Sequence, residues 1–313
     1  MRVKETRSDS TEALPGGAGD LAGISELKPS LLGSAIYSLV PFRRRIVMEN
    51  LRQVFGDRLS EPEMRRLARC FYSHSATTIG ENLAMMASSV RRIAAKVDVV
   101  GIEHVLKAAE LGNGVLILTG HFGNWELSAI AAMLQFKKYQ NRFHVIRKSL
   151  TPGLEDIVFG RFRKAGLRII SPVNALVGVF DALEMNDVVI FIMDQHAVLG
   201  SKAIAVEFFG REAGTNRSLA LVARQSGAPV IPASSYRKPD GRHVMQFHPP
   251  LEWISADNSR EEIYRNTLGY NQVLERFVLD HPDQWLWIHR RWKIEIRPMG
   301  RRWQRELRMR RPQ

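Results

Sequence analysis

Cysteine is nearly absent from this chain of 313 residues, in which Cys70 stands alone. A single cysteine excludes an internal disulfide framework and a zinc site built from cysteines, and it is typical of a reducing compartment. Long apolar runs are missing as well. Residues 31–42 come nearest, but Gly33, Ser34 and Ser38 interrupt them, and a spanning helix needs roughly 18 to 20 apolar residues. We therefore expect no membrane-spanning helix.

Four motifs with well-known chemistry are also missing. The sequence has no G-x-S-x-G nucleophile elbow, no phosphate loop ending in GKS or GKT, no G-x-G-x-x-G turn after a strand and no H-E-x-x-H helix. These absences weigh against serine hydrolases, nucleoside triphosphatases, dinucleotide-binding enzymes and zinc proteases. We expect neither a metal nor a cofactor.

Positive charge, in contrast, is in excess, with 45 Lys and Arg against 32 Asp and Glu and a net charge of +13. Residues 290–313 contain ten basic residues and only two acidic ones. Such a segment is either a solvated tail or a contact for anionic lipid, an acidic protein or nucleic acid. Among these we expect anionic membrane lipids as partners and no nucleic acid.

Helical and strand patterns divide the chain. Ser60 and Glu63 form a capping box that predicts an amphipathic helix toward residue 86. Short apolar runs then predict buried strands at 115–118, 143–146, 188–193, 229–232 and 244–247. Helices are predicted at 126–134, 151–164, 171–184, 215–226 and 259–279. The alternation predicts an α/β fold with a mostly parallel central sheet flanked by helices and preceded by a helical segment.

Four regions follow from this pattern. Residues 1–28 lack the apolar centre of a secretory signal and are predicted to form a disordered leader. Residues 29–98 are a helical N-terminal segment, in which the spacing of Leu32, Ile36 and Leu39 fits either an interfacial helix or a helix docked on the core. Residues 99–293 form the catalytic α/β domain, and residues 294–313 form the basic tail.

The chemistry concentrates where the first strong strand ends and a helix begins, at Thr119-Gly-His-Phe-Gly-Asn-Trp-Glu126. Open α/β sheets bind ligands at this position. Five residues of helix rotate by about 500°, so His121 and Glu126 could not share one helical face, and His121 must lie on the loop. The glycines Gly120 and Gly123 allow a fold tight enough to bring the imidazole and the carboxylate together.

A histidine held by a carboxylate can act as a general base, because the carboxylate fixes its tautomer and stabilises the imidazolium. Without a protein nucleophile, this pair suits direct transfer, in which His121 deprotonates an acceptor hydroxyl for attack on an activated acyl group. The alternative is a structural histidine that caps a turn. Asn124 is either a substrate-binding residue or a hydrogen-bonding residue of the loop.

Six segments carry a family resemblance. They are HFGNWE at 121–126, GRFR at 160–163, MDQH at 193–196, FFG at 208–210, APVIP at 228–232 and WLWIHRRWK at 285–293. Together they resemble the late acyltransferases of lipid A biosynthesis, the lauroyl and myristoyl transferases within the H-x4-D/E acyltransferase superfamily. The resemblance covers about residues 31–293, and the MDQH segment together with the tryptophan-rich ending makes it specific.

The resemblance implies a glycerolipid-acyltransferase-like fold with His121 as the base and Glu126 as its orienting carboxylate. It also implies that Arg161 and Asp194 belong to the site, and Arg163 is a near rival of Arg161. An arginine would stabilise the oxyanion of the tetrahedral intermediate, and Asp194 would hold that arginine or the substrate.

The expected reaction is transfer of a fatty acyl chain from a thioester of acyl carrier protein or CoA to a hydroxyl of a lipid A precursor. The expected location is the cytoplasmic face of the cell inner membrane, with peripheral or weak attachment, because the membrane anchor common in the family corresponds here to the short residues 31–42. A lysophospholipid or another glycolipid is the alternative acceptor. A non-catalytic lipid-binding protein is the alternative of another class.

Overall fold

The computed structural model describes residues 24, 26–89, 92, 94–135, 141–147 and 160–293. Three helices begin the described chain: α1 (Leu31–Leu39), α2 (Arg44–Phe55) and α3 (Glu61–Ala87). The predicted capping box is present at the start of α3, where the backbone N–H of Ser60 donates to Glu63 over 2.8 Å. None of the helices in the described part of the chain is long and apolar enough to cross a membrane.

Helix α1 docks on α3 and still presents apolar side chains to solvent. Gly33 is the contact point, since a Cβ atom there would come within 1.9 Å of the Ser73 hydroxyl oxygen. Ile36 packs against the core, whereas Leu32 and Leu39 remain 62% and 79% exposed. One face of α1 therefore docks on the core, as one of the two alternatives predicted, and contact of the exposed face with a membrane stays a prediction.

The remaining elements alternate along the chain as an α/β fold. They are β1 (Val97–Val100), α4 (Ile102–Ala109), β2 (Val115–Thr119), α5 (Trp125–Gln135), β3 (Phe143–Ile146), β4 (Leu167–Ile170), α6 (Ala175–Glu184), β5 (Val188–Ile192), β6 (Ala203–Phe208), β7 (Arg211–Asn216), α7 (Ser218–Ser226), β8 (Val230–Arg237), β9 (His243–Phe247) and α8 (Ser259–Asp280). The sheet has the order β1-β9-β8-β2-β5-β3-β4, and β6 pairs with β7 in a separate hairpin. All neighbours in the seven-stranded sheet are parallel except β8 and β9. The predicted mostly parallel sheet is confirmed.

The central strand β2 is apolar from Val115 to Leu118 because both of its faces are covered. Leu116 and Leu118 lie in a cluster with the N-terminal helices, and Val115 and Ile117 lie in a second cluster with α5 on the other face. Alternate residues of a strand point to opposite faces, so a strand buried on both sides needs a continuous apolar run. The N-terminal helices thus share a core with the sheet.

Several boundaries differ from the sequence-based expectations. The helix expected from Thr215 begins at Ser218, because residues 211–216 pair with β6 instead. Ile24, inside the predicted disordered leader, is buried in the core. Arg291 is fully buried and donates to the carbonyl oxygen of Gly214, which places it in the fold rather than in the basic tail. The tail itself, the first 23 residues and most of the helix expected at 151–164 lie outside the described residues.

Candidate active site

The candidate site lies at the carboxyl ends of two neighbouring strands. Strands β2 and β5 are parallel, and Thr119 is paired with Ile192 at their last positions. His121 and Asp194 each follow two residues later, so the register alone brings them to the same edge of the sheet. Gly120 permits this approach, because a Cβ atom there would lie 2.9 Å from the carboxyl carbon of Asp194.

Asp194 holds His121 in a fixed orientation. One carboxylate oxygen lies 2.9 Å from His121 Nδ1, and the other accepts the backbone N–H of His121 over 2.9 Å. The second oxygen also accepts the indole N–H of Trp285 over 2.9 Å. Asp194 is 1% exposed and holds the imidazole through Nδ1, while His121 is partly exposed and its Nε2 lies 3.4 Å from the side-chain nitrogen of Gln195.

The two groups shift each other's pKa. Burial lowers the pKa of His121, but the charge of Asp194 and its hydrogen bond outweigh burial and leave that pKa above its ordinary value. Burial raises the pKa of Asp194, and the attraction of His121 together with the donated hydrogen bonds brings it below its ordinary value. The result is an ionised carboxylate beside an imidazole of increased basicity, which is the pairing that a general base requires.

Glu126 has a different hydrogen-bond partner from the one expected. It lies in the first turn of α5, and its carboxylate accepts a hydrogen bond from the side-chain N–H of Asn82 on α3 over 2.8 Å. The carboxylate that hydrogen-bonds His121 is Asp194, and this corrects the assignment of Glu126 as the orienting group and of Asp194 as a group that holds an arginine. The reason lies in the tertiary structure, since Asp194 follows β5, the strand that pairs with β2. Burial raises the pKa of Glu126, against the attraction of His121.

A cavity of about 370 Å³ opens beside His121 and Glu126. Most of its wall is apolar and comes from α1, α3 and residues 284–288. Its buried apolar side chains are Phe71, Tyr72 and Trp285, and Ile79 is one of its exposed apolar side chains. The candidate base His121 therefore lies at the wall of an apolar cavity formed largely by the N-terminal helices.

A polar network on the neighbouring face of α3 supports the loop that follows His121. Glu81 accepts hydrogen bonds from Arg237 at 2.6 Å, from His243 at 3.1 Å and from Asn124 at 2.9 Å. Burial would raise the pKa of Glu81, but these donors lower it to about 2. His74 accepts from Arg237 over 2.9 Å, and burial together with that cation lowers the pKa of His74 to about 3.

Asn124 belongs to this network. Its side chain is fully buried, donates to Glu81, and accepts the backbone N–H of Leu127 over 3.2 Å as a helix N-cap does. Of the two roles left open for Asn124, these contacts support hydrogen bonding within the loop, and binding of substrate or the oxyanion stays a prediction.

The two arginines lie in the segment that precedes strand β4. Arg161 and Arg163 belong to the helical residues 160–165, which lead into the amino end of β4, and Arg163 is exposed. Gly166 donates to the carbonyl of Arg163 over 3.0 Å, so the backbone of Arg163 lies at the sheet edge opposite to the ends of β2 and β5. The part of Arg161 in the reaction remains a prediction.

Sequence reasoning missed two of the side chains that surround the pair. Gln195 contacts the imidazole, with its side-chain nitrogen 3.3 Å from Nδ1 of His121, and Asn82 binds Glu126. A signal for the support on α3 was available. His74, Thr78 and Glu81 recur at the i, i+4 and i+7 positions of the predicted helix, and a polar stripe at that spacing indicates a face that packs on polar partners. Within the described residues, no group of three His, Cys, Asp or Glu could hold a metal ion.

Comparison with known proteins places this chain in a family. The model of the bacterial lipid A biosynthesis acyltransferases matches residues 30–294. The lipid A biosynthesis lauroyltransferase of Escherichia coli (strain K12) is 27% identical over 270 residues, which cover 86% of this chain and 84% of that protein.

Two further relatives bear other names. The lipid A biosynthesis palmitoleoyltransferase of the same organism is 25% identical and covers 86% of this chain and 85% of that protein. The phosphatidylinositol mannoside acyltransferase of Mycolicibacterium smegmatis is 22% identical, over 66% of this chain and 65% of that protein. Because the family model matches residues 30–294, this chain belongs to the bacterial lipid A biosynthesis acyltransferases.

Proposed function

We propose that this acyltransferase moves a fatty acyl chain from a thioester of acyl carrier protein or CoA to a hydroxyl of a lipid A precursor, with His121 as the general base. Family membership supplies the coarser part of this statement, an acyl-transferring enzyme with a lipid acceptor and an acyl donor. The observation that carries the finer part is the Asp194–His121 pair, 2.9 Å apart, at the wall of a mainly apolar cavity.

The proposed reaction follows from the orientation of the His121 imidazole. Nδ1 faces Asp194, so Nε2 takes the proton of the acceptor hydroxyl as its oxygen attacks the thioester carbonyl. A tetrahedral intermediate forms and collapses, the C–S bond breaks, and the imidazolium returns its proton to the thiolate. Asp194 stays ionised and stabilises the imidazolium, and the cationic Arg161 is our candidate for the oxyanion.

The cavity is the proposed binding site of the acyl chain. Its wall of aliphatic and aromatic side chains excludes water from a hydrocarbon tail and leaves the thioester at the polar end, where His121 and Glu126 lie. The two E. coli relatives are named for lauroyl and palmitoleoyl transfer, so family members differ in the acyl chain they carry. The cavity is the part of this protein that would select among such chains.

An apolar rim beside this cavity, which shares Val40, Phe42 and Ile79 with the cavity lining, suits a membrane surface. We define the rim by exposed apolar side chains on α1, α3 and the α1–α2 connection: Leu39, Val40, Phe42, Ile79 and Leu83. Ile79 and Leu83 are four residues apart and share one face of α3. The exposed Arg43 and Arg45 follow directly, as cations that contact anionic headgroups would. Peripheral attachment at the cytoplasmic face of the inner membrane is thus part of the proposal.

The test is transfer by purified protein to an under-acylated lipid A precursor, with lauroyl-acyl carrier protein and lauroyl-CoA supplied in separate assays. His121→Ala should lower kcat by about 10² to 10⁴-fold. His104→Ala on α4, which the site does not contain, is the matched control and should retain full activity. Normal turnover by His121→Ala would reject the mechanism, and transfer by neither protein would reject the donor or acceptor.

A second acceptor class has one specific observation in its favour, the relative that is named for a phosphatidylinositol mannoside. Presenting lysophosphatidic acid and a mannosylated phosphatidylinositol beside the lipid A precursor decides between the acceptors. The largest kcat/KM identifies the acceptor, and His121→Ala should abolish transfer to each of them.

Membrane attachment is tested by sedimentation with neutral and with anionic vesicles. Leu83→Asp in the rim should weaken binding to both kinds of vesicle, because it places a charge in the apolar contact. Leu111→Asp is the control, since Leu111 is 65% exposed after the end of α4, outside the rim. Equal losses in the two variants would show that the rim is not the membrane contact.

A further inference from the structure

Asn82 is the point at which the N-terminal helical segment reaches the reacting groups. It lies on α3, lines the cavity, and donates its side-chain N–H to Glu126 over 2.8 Å. Its neighbour Glu81 holds Asn124 at 2.9 Å, so two consecutive residues of one helix bind both the loop and the first turn of α5. Asp194 meanwhile holds His121 from the sheet side.

The orientation of the Asn82 amide leaves its own carbonyl oxygen without a hydrogen bond in the described part of the chain. This Oδ1 atom is buried. The opposite orientation would place that carbonyl against the carboxylate of Glu126. Because a buried unpaired acceptor is unfavourable, its presence here indicates that the donor toward Glu126 matters more.

The donated N–H has an electrostatic consequence for His121. A hydrogen bond to a carboxylate favours its ionised form, which burial in the cavity opposes. An ionised Glu126 in turn raises the pKa of His121, in addition to the larger effect of Asp194. Both carboxylates therefore favour the imidazolium that forms when the acceptor hydroxyl loses its proton.

We propose that Asn82 is a positioning residue of the transfer reaction, which holds Glu126 beside His121 and acts through that carboxylate. This inference rests on the proposed function for its kinetic consequence. Its structural part, the link from Asn82 through Glu126 to His121, stands independently of the substrate.

A double-mutant cycle tests the kinetic consequence. Asn82→Leu should lower kcat about tenfold, the effect of losing one hydrogen bond to a charged group, with a smaller change in KM. Combined with Glu126→Gln, it should cause no further loss, because the group through which it acts has gone. Asn82→Gln should recover part of the activity, and Thr77→Leu, an exposed position on the same helix, should behave as the unchanged protein.

The titration of the His121 imidazole, followed by NMR in the full-length protein, tests the link without substrate. Asn82→Leu should lower the pKa of His121, and it should not lower it further in the Glu126→Gln background. An unchanged titration, or kinetic losses that simply add in the double variant, would overturn the proposal. If the titration shifts while no acyl transfer to any lipid is found, the proposed function fails and the positioning role stands.

Discussion

Two carboxylates face the candidate base, and they differ in how they are held. Asp194 is 1% exposed and accepts three hydrogen bonds, two from His121 and one from Trp285. Glu126 lines the cavity and, among the described residues, accepts a side-chain hydrogen bond from Asn82. Burial acts to raise the pKa of both groups, but only Asp194 has enough donors to end below its ordinary value.

The difference separates two tasks that the H-x4-E spacing alone would assign to one residue. A carboxylate saturated by donors is fixed, so Asp194 suits the constant task of setting the imidazole tautomer. A carboxylate in an apolar cavity with one donor responds to what enters, so Glu126 suits a role that depends on the bound substrate. The comparison predicts unequal effects when each carboxylate is neutralised.

The largest effect is expected for Asp194→Asn. The amide replaces an acceptor of three hydrogen bonds with a group that presents N–H to donors, so kcat should fall by about 10³ to 10⁴-fold. Trp285→Phe removes only the third donor and should cost far less. Equal kcat values in Asp194→Asn and the unchanged protein would show that another group holds His121.

Arg237→Gln should affect stability more than any rim substitution. It leaves the partly buried Glu81 without its bidentate partner, and the free energy of unfolding in urea should fall by about 2 kcal/mol. Arg242→Gln removes the exposed partner of Asp98 and should leave the urea midpoint nearly unchanged. A similar midpoint for both variants would mean that the network on α3 does not stabilise the loop.

Glu126→Gln should lower kcat by only about 10- to 100-fold, less than Asp194→Asn, because it removes a charge near His121 but no hydrogen bond to it. The measurement is kcat and KM for both variants with one donor and one acceptor. A loss equal to or greater than that of Asp194→Asn would reverse the assignment of the two carboxylates.

The smallest effect concerns pH. His121 is active as the neutral base, and its pKa lies above the ordinary 6.5, so kcat/KM should fall as pH drops through that raised value. Glu126→Gln removes one of the charges that raise the pKa, so the acidic limb should move to lower pH by less than about one unit. Movement of the limb to higher pH would contradict an ionised Glu126.

Much of the fold could be predicted from local pattern. Continuous apolar runs at 115–118 and 188–193 predict strands buried on both faces, and both are central strands of the sheet. The sequence pattern misses the hairpin β6–β7 because β7 (Arg211–Asn216) contains no apolar run, and its pairing with β6 rather than with the main sheet is a long-range choice. Propensity and period describe one segment at a time, and they do not state which segments pair.

The sequence by itself determined the motif loop, His121 on it, Glu126 in the first helical turn and the α/β alternation, because each depends on residues within a few positions. Tertiary structure decided which carboxylate binds His121, since strand order places Asp194, 73 residues away, at 2.9 Å. It also turned Asn124 inward and brought Asn82 to Glu126 over 44 residues. Hydrogen bonds between distant residues depend on strand register and helix packing, which are properties of the whole core.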